Sequence, residues 1–154
     1  MNSSYSSDDL AVIINGYTLI RADHPSDNKR GGVAIYCKDY LPIKVCDISF
    51  IDECLLLEMN FDNKKCFLIS LYRSPSQSSD EFNDFSVKFD KLLDYVFKQS
   101  PQLVFAVGDF NARSNSWWSD DINTIEGTQI EALTSSYGLH QIISEPKNIT
   151  ECLQ

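Results

Sequence analysis

The strongest candidate for chemistry lies at the end of an apolar run, where an Asp and an Asn stand two residues apart. Residues 103–118 read LVFAVGDFNARSNSWW, so five apolar residues lead directly into Gly108 and the sequence DFNA. Side chains alternate along an extended chain, so we expect Asp109 and Asn111 to face one cleft and Phe110 to point away. A carboxylate beside an amide suits Mg²⁺ chemistry on phosphate esters. A capping Asp and a turn Asn are the alternative.

A second candidate follows another apolar run, in the sequence LYRSP at residues 71–75. The Tyr72 hydroxyl and the Arg73 guanidinium are both suited to phosphate oxygens. The alternative is a tyrosine at a strand end with a solvated arginine. Two strands that both end in phosphate-competent groups favour a site, because convergent polar groups at one edge are typical of active sites.

The chain between and around these residues predicts a layered α/β domain in which helices cover a central sheet. A helix is expected after Ser78 or Ser79, with an apolar stripe from Phe82 to Val96, and a second helix in residues 124–139. Strands are expected at 32–37, 43–50, 54–61, 66–72, 103–107 and 140–144. We expect the segment DNKK, which lies between the strands at 54–61 and 66–72, to form a hairpin loop of about four residues. The apolar run before Asp109 predicts a strand buried on both faces.

Composition indicates one globular domain over residues 1–154, with 43% hydrophobic residues. The net charge of −9, from 22 acidic and 13 basic residues, argues against binding to nucleic acid by electrostatic attraction alone. It does not exclude a nucleic-acid enzyme that uses metal cations at an acidic site. His24 and His140 lack partners at metal-ligand spacing, and Glu126 and Glu131 are interpreted as charges on a helix surface.

The five cysteines lack C-x-x-C spacing and have apolar neighbours, which favours buried, reduced thiols over a disulfide framework. The amino terminus resembles no signal peptide, and no apolar run is long enough to span a membrane. We therefore expect an intracellular protein without membrane contact. The adjacent Trp117 and Trp118 could stack on bases or cover a sheet edge, and cover is favoured for one of them.

Several of these motifs occur together in one order: GGVAIYCK, LYRSP, GDFNAR followed by WW, YGLHQIISEP and NIT. This series resembles the endonuclease domain of LINE-type (non-LTR) retrotransposons, in the endonuclease/exonuclease/phosphatase superfamily. The resemblance extends from about residue 5 to 150. It implies a four-layer α/β sandwich, of which this chain is expected to form a part, with two facing β-sheets and outer helices.

The resemblance also implies an activity, which is Mg²⁺-dependent nicking of DNA, with Mn²⁺ as the alternative metal. By this resemblance Asp109 orients or deprotonates the attacking water and is a candidate metal ligand, and Asn111 contacts the scissile phosphate. Tyr72 helps to bind the phosphate, Arg73 is a candidate substrate-binding residue, and Thr150 matches a phosphate-side position loosely. DNA is the implied partner, and the nucleus is the expected compartment if the substrate is chromosomal.

The family pattern also contains parts that have no counterpart here: a first strand with an Asn, a metal-binding Glu in an ETW-like motif, and a terminal Asp-His pair. We therefore expect a fragment with crippled catalysis, weakened or lost Mg²⁺ binding, weak DNA binding, and self-association through exposed sheet edges. The alternatives are a non-enzymatic remnant or binding module from a decayed element, and a small-molecule phosphodiesterase of the same superfamily. The motifs GGVAIYCK and YGLHQIISEP favour the retrotransposon branch over the last of these.

Overall fold

The structure is a computed structural model that describes residues 13–24, 32–117 and 122–143. These residues form six strands and two helices, arranged as two sheets with the helices beside them. In chain order the elements are β1 Tyr17–Asp23, β2 Gly32–Lys38, β3 Ile43–Cys46, β4 Cys54–Phe61, β5 Lys64–Tyr72, α1 Ser79–Lys98, β6 Leu103–Asp109 and α2 Ile125–Ser136. The predicted α/β class is confirmed. The expectation of a single domain over the whole chain stays a prediction.

The larger sheet has the order β3-β4-β5-β6 and carries both candidate motifs. Its first three strands are antiparallel, and β6 joins β5 in parallel. The β4–β5 hairpin closes at Asp62 and Asn63, which both have positive φ, at 52° and 59°. Asp and Asn tolerate this conformation and favour tight hairpin turns. The expected four-residue loop is therefore wrong, because β5 pairs back to Lys64 opposite Phe61.

The smaller sheet is the antiparallel pair β1–β2, which contacts β4 and β5. Gly16 supplies the positive φ of the turn that precedes β1. β3 is shorter than predicted: it ends at Cys46, and residues 47–53 form turns rather than continuing the strand. The result is two contacting sheets with α1 outside the larger one, which confirms the partial sandwich expected from the resemblance.

Helix α1 covers the other face of the larger sheet and forms the core with it. Ser78 caps the helix: its side chain accepts from the Glu81 N–H, and the Glu81 carboxylate accepts from the Ser78 N–H. The six apolar residues of the predicted stripe are all buried: Phe82, Phe85, Phe89, Leu92, Leu93 and Val96. They pack against alternate residues of β4 and β5, among them Leu56, Phe67, Ile69 and Leu71. Residues between these, such as Leu57, are buried on the side toward the smaller sheet.

Strand β6 is an edge strand of the sheet described here, and the prediction that both its faces are buried is wrong. Val104 and Ala106 pack against the core, whereas Leu103, Phe105 and Val107 on the other face are each more than 40% exposed. Within the described ranges β6 is the last strand of its sheet and is paired on one side only. Self-association through this edge stays a prediction, which sedimentation velocity over a concentration series would test.

The chain after β6 returns to the core through α2. Ile130 is buried and Leu133 partly buried against the core, as the helical spacing predicts. Residues 140–143 form no strand, and Ile142 is 83% exposed, so the strand expected there is wrong over its described part. No strand edge pairs with this segment in the described ranges, and an apolar run forms a strand only where its backbone groups find partners.

The remaining expectations concern cysteines and membrane contact. The four described cysteines, Cys37, Cys46, Cys54 and Cys66, are buried free thiols, as predicted. Cys152 lies outside the described residues, as do Trp118 and Thr150. None of the described helices is long and apolar enough to cross a membrane.

Candidate active site

The parallel pairing of β5 with β6 brings the two candidate motifs together at one edge of the sheet. The register places Leu71 beside Gly108 and Tyr72 beside Asp109. Immediately beyond, the Arg73 N–H donates to the Asp109 carbonyl at 2.9 Å. Neighbouring residues in register have side chains on the same face, so the half-buried Tyr72 and the exposed Asp109 stand side by side. The convergence expected from two strand ends is thus present in the structure.

Gly108 permits this close approach. Its φ is +143°, and a Cβ built on it would lie 1.8 Å from the Leu71 carbonyl oxygen. No residue with a side chain can occupy this position unless the two strands separate. The glycine of GDFN therefore sets how closely Asp109 approaches the end of β5.

Asn111 turns the chain back toward the sheet. Its φ is +45°, a left-handed conformation that Asn tolerates. Its backbone N–H donates to Asp109 Oδ1 at 2.9 Å, and its side-chain Nδ2 donates to the Arg73 carbonyl at 2.6 Å. Phe110 between them packs edge-on against Phe89 of α1, with ring centroids 5.7 Å apart. Phe110 is therefore directed to the core, as predicted, whereas the left-handed Asn111 departs from the extended chain on which the predicted alternation rested.

Arg73 lies inside the protein, with 3% of its surface exposed, so the alternative of a solvated arginine is wrong. Its guanidinium donates to the backbone carbonyls of Phe110, Asn111 and Ser74. Burial lowers the pKa of Arg73, while the charges of Glu126 and Asp109 oppose that shift. The motifs YR and GDFN are therefore joined through an interior arginine as well as through strand pairing.

Helix α2 fixes the loop that follows Asn111. The hydroxyls of Ser114 and Ser116 both donate to the Glu131 carboxylate, and these hydrogen bonds lower the pKa of Glu131. Ser114 is 1% exposed. Glu131 is half-exposed on α2, as expected of a charge on a helix surface, and its carboxylate also anchors the loop through these two serines. A polar pair spaced S-x-S before a helix carries too little information to identify a helical carboxylate 15 residues later as its acceptor.

The amino terminus of α2 packs closely on the same loop. Thr124 caps the helix, accepting from the Gly127 N–H, and its hydroxyl also bonds the backbone of Arg113. A Cβ on Gly127 would lie 1.8 Å from the Arg113 carbonyl oxygen. The helix therefore meets the loop backbone directly, and Gly127 is a residue that sequence reasoning did not single out.

Two cavities flank the site, and the candidate residues are divided between them. Tyr72 lines a cavity of about 490 Å³ together with His24, Glu53 and Lys88. Asp109 and Asn111 line a cavity of about 860 Å³ along β6. His140 and Trp117 border this second cavity, and Trp117 also packs on the core. Neither histidine was assigned a role from the sequence, and His140 is the one that lines the same cavity as Asp109.

Glu53 combines two unfavourable features near Tyr72. It has φ +49°, and its Oε1 is buried without a hydrogen-bond partner among the described residues. Its backbone carbonyl accepts from the Tyr72 N–H at 3.0 Å, so the turn before β4 supports the end of β5. Strained and unsatisfied groups are found more often near functional sites than elsewhere. The sequence contained no signal for this, because the positive φ arises from the turn at 49–53.

The described residues contain no group of three or more His, Cys, Asp or Glu side chains that could hold a metal ion. Asp109 is the one predicted metal ligand, and its Oδ1 already accepts from Asn111. Mg²⁺ prefers an octahedral shell of oxygens, usually with carboxylate ligands and several waters. The described side chains therefore do not by themselves form a Mg²⁺ site.

Comparison with known proteins identifies the family. Residues 66–153, more than half of the chain, match the family model described as "Endonuclease-reverse transcriptase". The chain belongs to the endonuclease-reverse transcriptase family. The matched range begins in β5 and includes Tyr72, Asp109 and Asn111. The resemblance to retrotransposon endonucleases seen in the motifs is thereby confirmed.

A solved structure shows the same fold. The chain is similar to the endonuclease domain of TRAS1, a telomere-specific non-LTR retrotransposon, with a TM-score of 0.67 and 19% identity. The match covers 86% of this chain and 57% of that domain. The endonuclease-reverse transcriptase chain thus spans little more than half the length of the solved domain. A search of curated proteins finds no match.

Proposed function

We propose that this chain is a DNA phosphodiesterase unit of the retrotransposon endonuclease type, and that the Tyr72–Asp109–Asn111 edge binds the phosphodiester to be cleaved. The observation that carries the proposal is the register pairing of Tyr72 with Asp109, beside an Asn111 that is bonded to both strand ends. Family membership supports the reaction class. Because this chain matches only 57% of the solved domain, its substrate and its activity are part of the proposal.

Each side chain keeps one unused group for this chemistry. Asp109 is exposed and binds Asn111 through Oδ1, which leaves Oδ2 to orient a water and accept its proton. Asn111 donates one Nδ2 hydrogen to Arg73, and an amide has two, so the second can donate to a phosphate oxygen. Tyr72 lines the other cavity, and we assign its hydroxyl as a further donor to the same phosphate at the edge where the register sets Tyr72 beside Asp109. Asp109 acts on the nucleophile, and Asn111 and Tyr72 act on the phosphate.

Mg²⁺ dependence is part of the proposal and rests on the family resemblance. Bound Mg²⁺, or Mn²⁺, supplies charge stabilisation on the phosphate oxygens in this class of reaction. Asp109 is the ligand that we assign, and the described residues contain no group of three or more His, Cys, Asp or Glu side chains that could hold a metal ion. We therefore expect weak metal binding and slow nicking by this chain, and weak, salt-sensitive DNA binding because the chain carries a net charge of −9.

The test combines a nicking assay with a binding assay, because the proposed roles predict opposite effects of two substitutions. Asp109→Asn should abolish Mg²⁺-dependent nicking of supercoiled plasmid, yet leave duplex binding unchanged or stronger, since it removes a negative charge beside the phosphate. Asn111→Ala should weaken binding roughly tenfold, the value of a hydrogen bond to a charged group. Asp62→Asn, in the β4–β5 turn at the opposite end of β5, is the matched control and should change neither.

Two results would contradict the proposal. The first is nicking by Asp109→Asn at the wild-type rate. The second is duplex binding that neither Asn111→Ala nor Tyr72→Phe weakens at low salt. A chain that neither binds nor nicks DNA would support the alternative of a non-enzymatic remnant.

A further inference from the structure

Arg73 was expected to bind substrate, but its surroundings indicate another task. Only 3% of its surface is exposed, although it lies just beyond the end of β5. The guanidinium carbon lies 5.3 Å from the centre of the Phe82 ring. Phe82 is itself buried, at the start of α1. A phosphate could reach this guanidinium only if α1 or the loop after β6 moved away.

The hydrogen bonds of Arg73 lead to the same conclusion. Nε donates to the Phe110 carbonyl, and Nη2 donates to the Asn111 carbonyl. Nη1 donates to the Ser74 carbonyl and to Gln77 Oε1, both at 3.2 Å. An arginine has five N–H donors, and four of them are used by protein acceptors. The bidentate fork that would clamp a phosphate is therefore already occupied.

The bonds between Arg73 and the site run in both directions. Arg73 holds the carbonyls of the two peptide groups that flank Asn111, and Asn111 Nδ2 returns a bond to the Arg73 carbonyl at 2.6 Å. The Arg73 N–H also donates to the Asp109 carbonyl at 2.9 Å. Asn111 has φ +45°, a conformation that needs support from its surroundings. These contacts orient the remaining amide hydrogen of Asn111 relative to the Asp109 carboxylate.

We propose that Arg73 is a positioning residue, whose buried guanidinium holds the Phe110 and Asn111 carbonyls and so orients Asn111 toward the phosphodiester. The inference rests on the proposed function for the identity of the ligand. Lysine cannot replace it, because a single ammonium lacks the planar fork that bridges two adjacent carbonyls. Arg73 then acts on DNA only through Asn111, and it neutralises no phosphate charge.

A double-mutant cycle on DNA binding by the full chain tests this. Asn111→Ala and Arg73→Lys should each weaken duplex binding roughly tenfold, and the double variant should be weakened by about the same factor rather than a hundredfold. The slope of log K against log salt should be the same for Arg73→Gln, which removes the charge, and wild type, because Arg73 neutralises no phosphate. A direct phosphate contact would instead give additive losses, and its complete removal would lower the slope by about 0.9. Arg21→Lys, on the distant strand β1, is the matched control.

A second readout needs no DNA and separates this inference from the proposed function. By NMR, hydrogen exchange at the Asn111 side-chain amide should speed up by about tenfold or more in Arg73→Lys, with the circular dichroism spectrum unchanged. If Arg73→Lys does not fold, Gln77→Ala replaces it, since it removes one acceptor of Nη1 and should produce a smaller change in the same direction. Unchanged exchange would overturn the positioning role. Unchanged DNA binding by Asn111→Ala would overturn the proposed function instead.

Discussion

Substitution of Gly108 by alanine is the most direct test of how the site is assembled. The change adds one methyl group at the point where β5 and β6 lie in register at Leu71 and Gly108. The added Cβ would lie 1.8 Å from the Leu71 carbonyl oxygen and 2.8 Å from its carbon. The obstacle is backbone, which no side-chain rotation can relieve. The strand ends must therefore separate by more than 1 Å, and this displaces Asp109 from Tyr72.

The expected cost has two parts. Conformational strain at φ +143° destabilises a residue that has a Cβ by about 1–2 kcal/mol. The overlap adds about 1–3 kcal/mol, whether as strain or as lost pairing between the strand ends. The total of about 2–5 kcal/mol is a large share of the stability of a small domain, which is about 5–15 kcal/mol.

Gly138→Ala is the matched control, because Gly138 has φ +72° and a Cβ there would meet nothing within 4 Å. It should lose only the strain, about 1 kcal/mol. Urea unfolding followed by circular dichroism measures both variants. With a slope of about 1–3 kcal/mol per molar urea, the midpoint of Gly108→Ala should fall well below that of Gly138→Ala. Equal midpoints for the two variants would refute the account of β5–β6 packing.

Three further predictions concern a helix cap, the titration of a buried thiol and a side-chain hydrogen bond. Ser78→Ala should lower the free energy of unfolding by about 1 kcal/mol in urea, whereas Ser79→Ala, one residue later, should change it little. Burial raises the pKa of the Cys54 thiol to about 12, and an unfolded thiol ionises near pH 8.5, so stability from Cys54 is complete below about pH 8.5 and falls as the pH rises toward 12. Cys54→Ala should flatten this alkaline decline, and an equally steep decline would contradict the assignment. Tyr137→Phe removes a 2.7 Å hydrogen bond to Asp90 and should cost about 1 kcal/mol; an unchanged urea midpoint would show that the bond contributes nothing.

Features that depend on neighbouring residues could be predicted from the sequence. The capping box of α1 needs only Ser78 and Glu81, and the apolar stripe follows from a spacing that any amphipathic helix shows. The hairpin strands β4 and β5 were likewise predicted, although the positive φ at Asp62 and Asn63 shortens the turn. In the candidate site, the strand-end positions of Tyr72 and Asp109 were predicted for the same reason.

Features that depend on distant partners were predicted incorrectly or not at all. An apolar run has the same sequence whether one or two of its faces are covered, so β6 was expected to be buried on both. Arginine reads as a charged surface residue until the carbonyls of Phe110 and Asn111, more than 35 residues away in the chain, are placed beside it. The hydrogen bonds from Ser114 and Ser116 to Glu131 were not predicted, because the partners are at least 15 residues apart in the chain.

The sequence by itself determined the elements, the family resemblance and the residues capable of phosphate chemistry. These follow from local spacing and from the side chains themselves. Only the tertiary structure decided that β6 pairs with β5 in parallel, which sets Asp109 beside Tyr72, and that Arg73 is interior. The physical reason is that strand register and burial depend on contacts between residues far apart in the chain. The chemistry of a side chain is known from the sequence, but the hydrogen-bond partners that it meets depend on the fold.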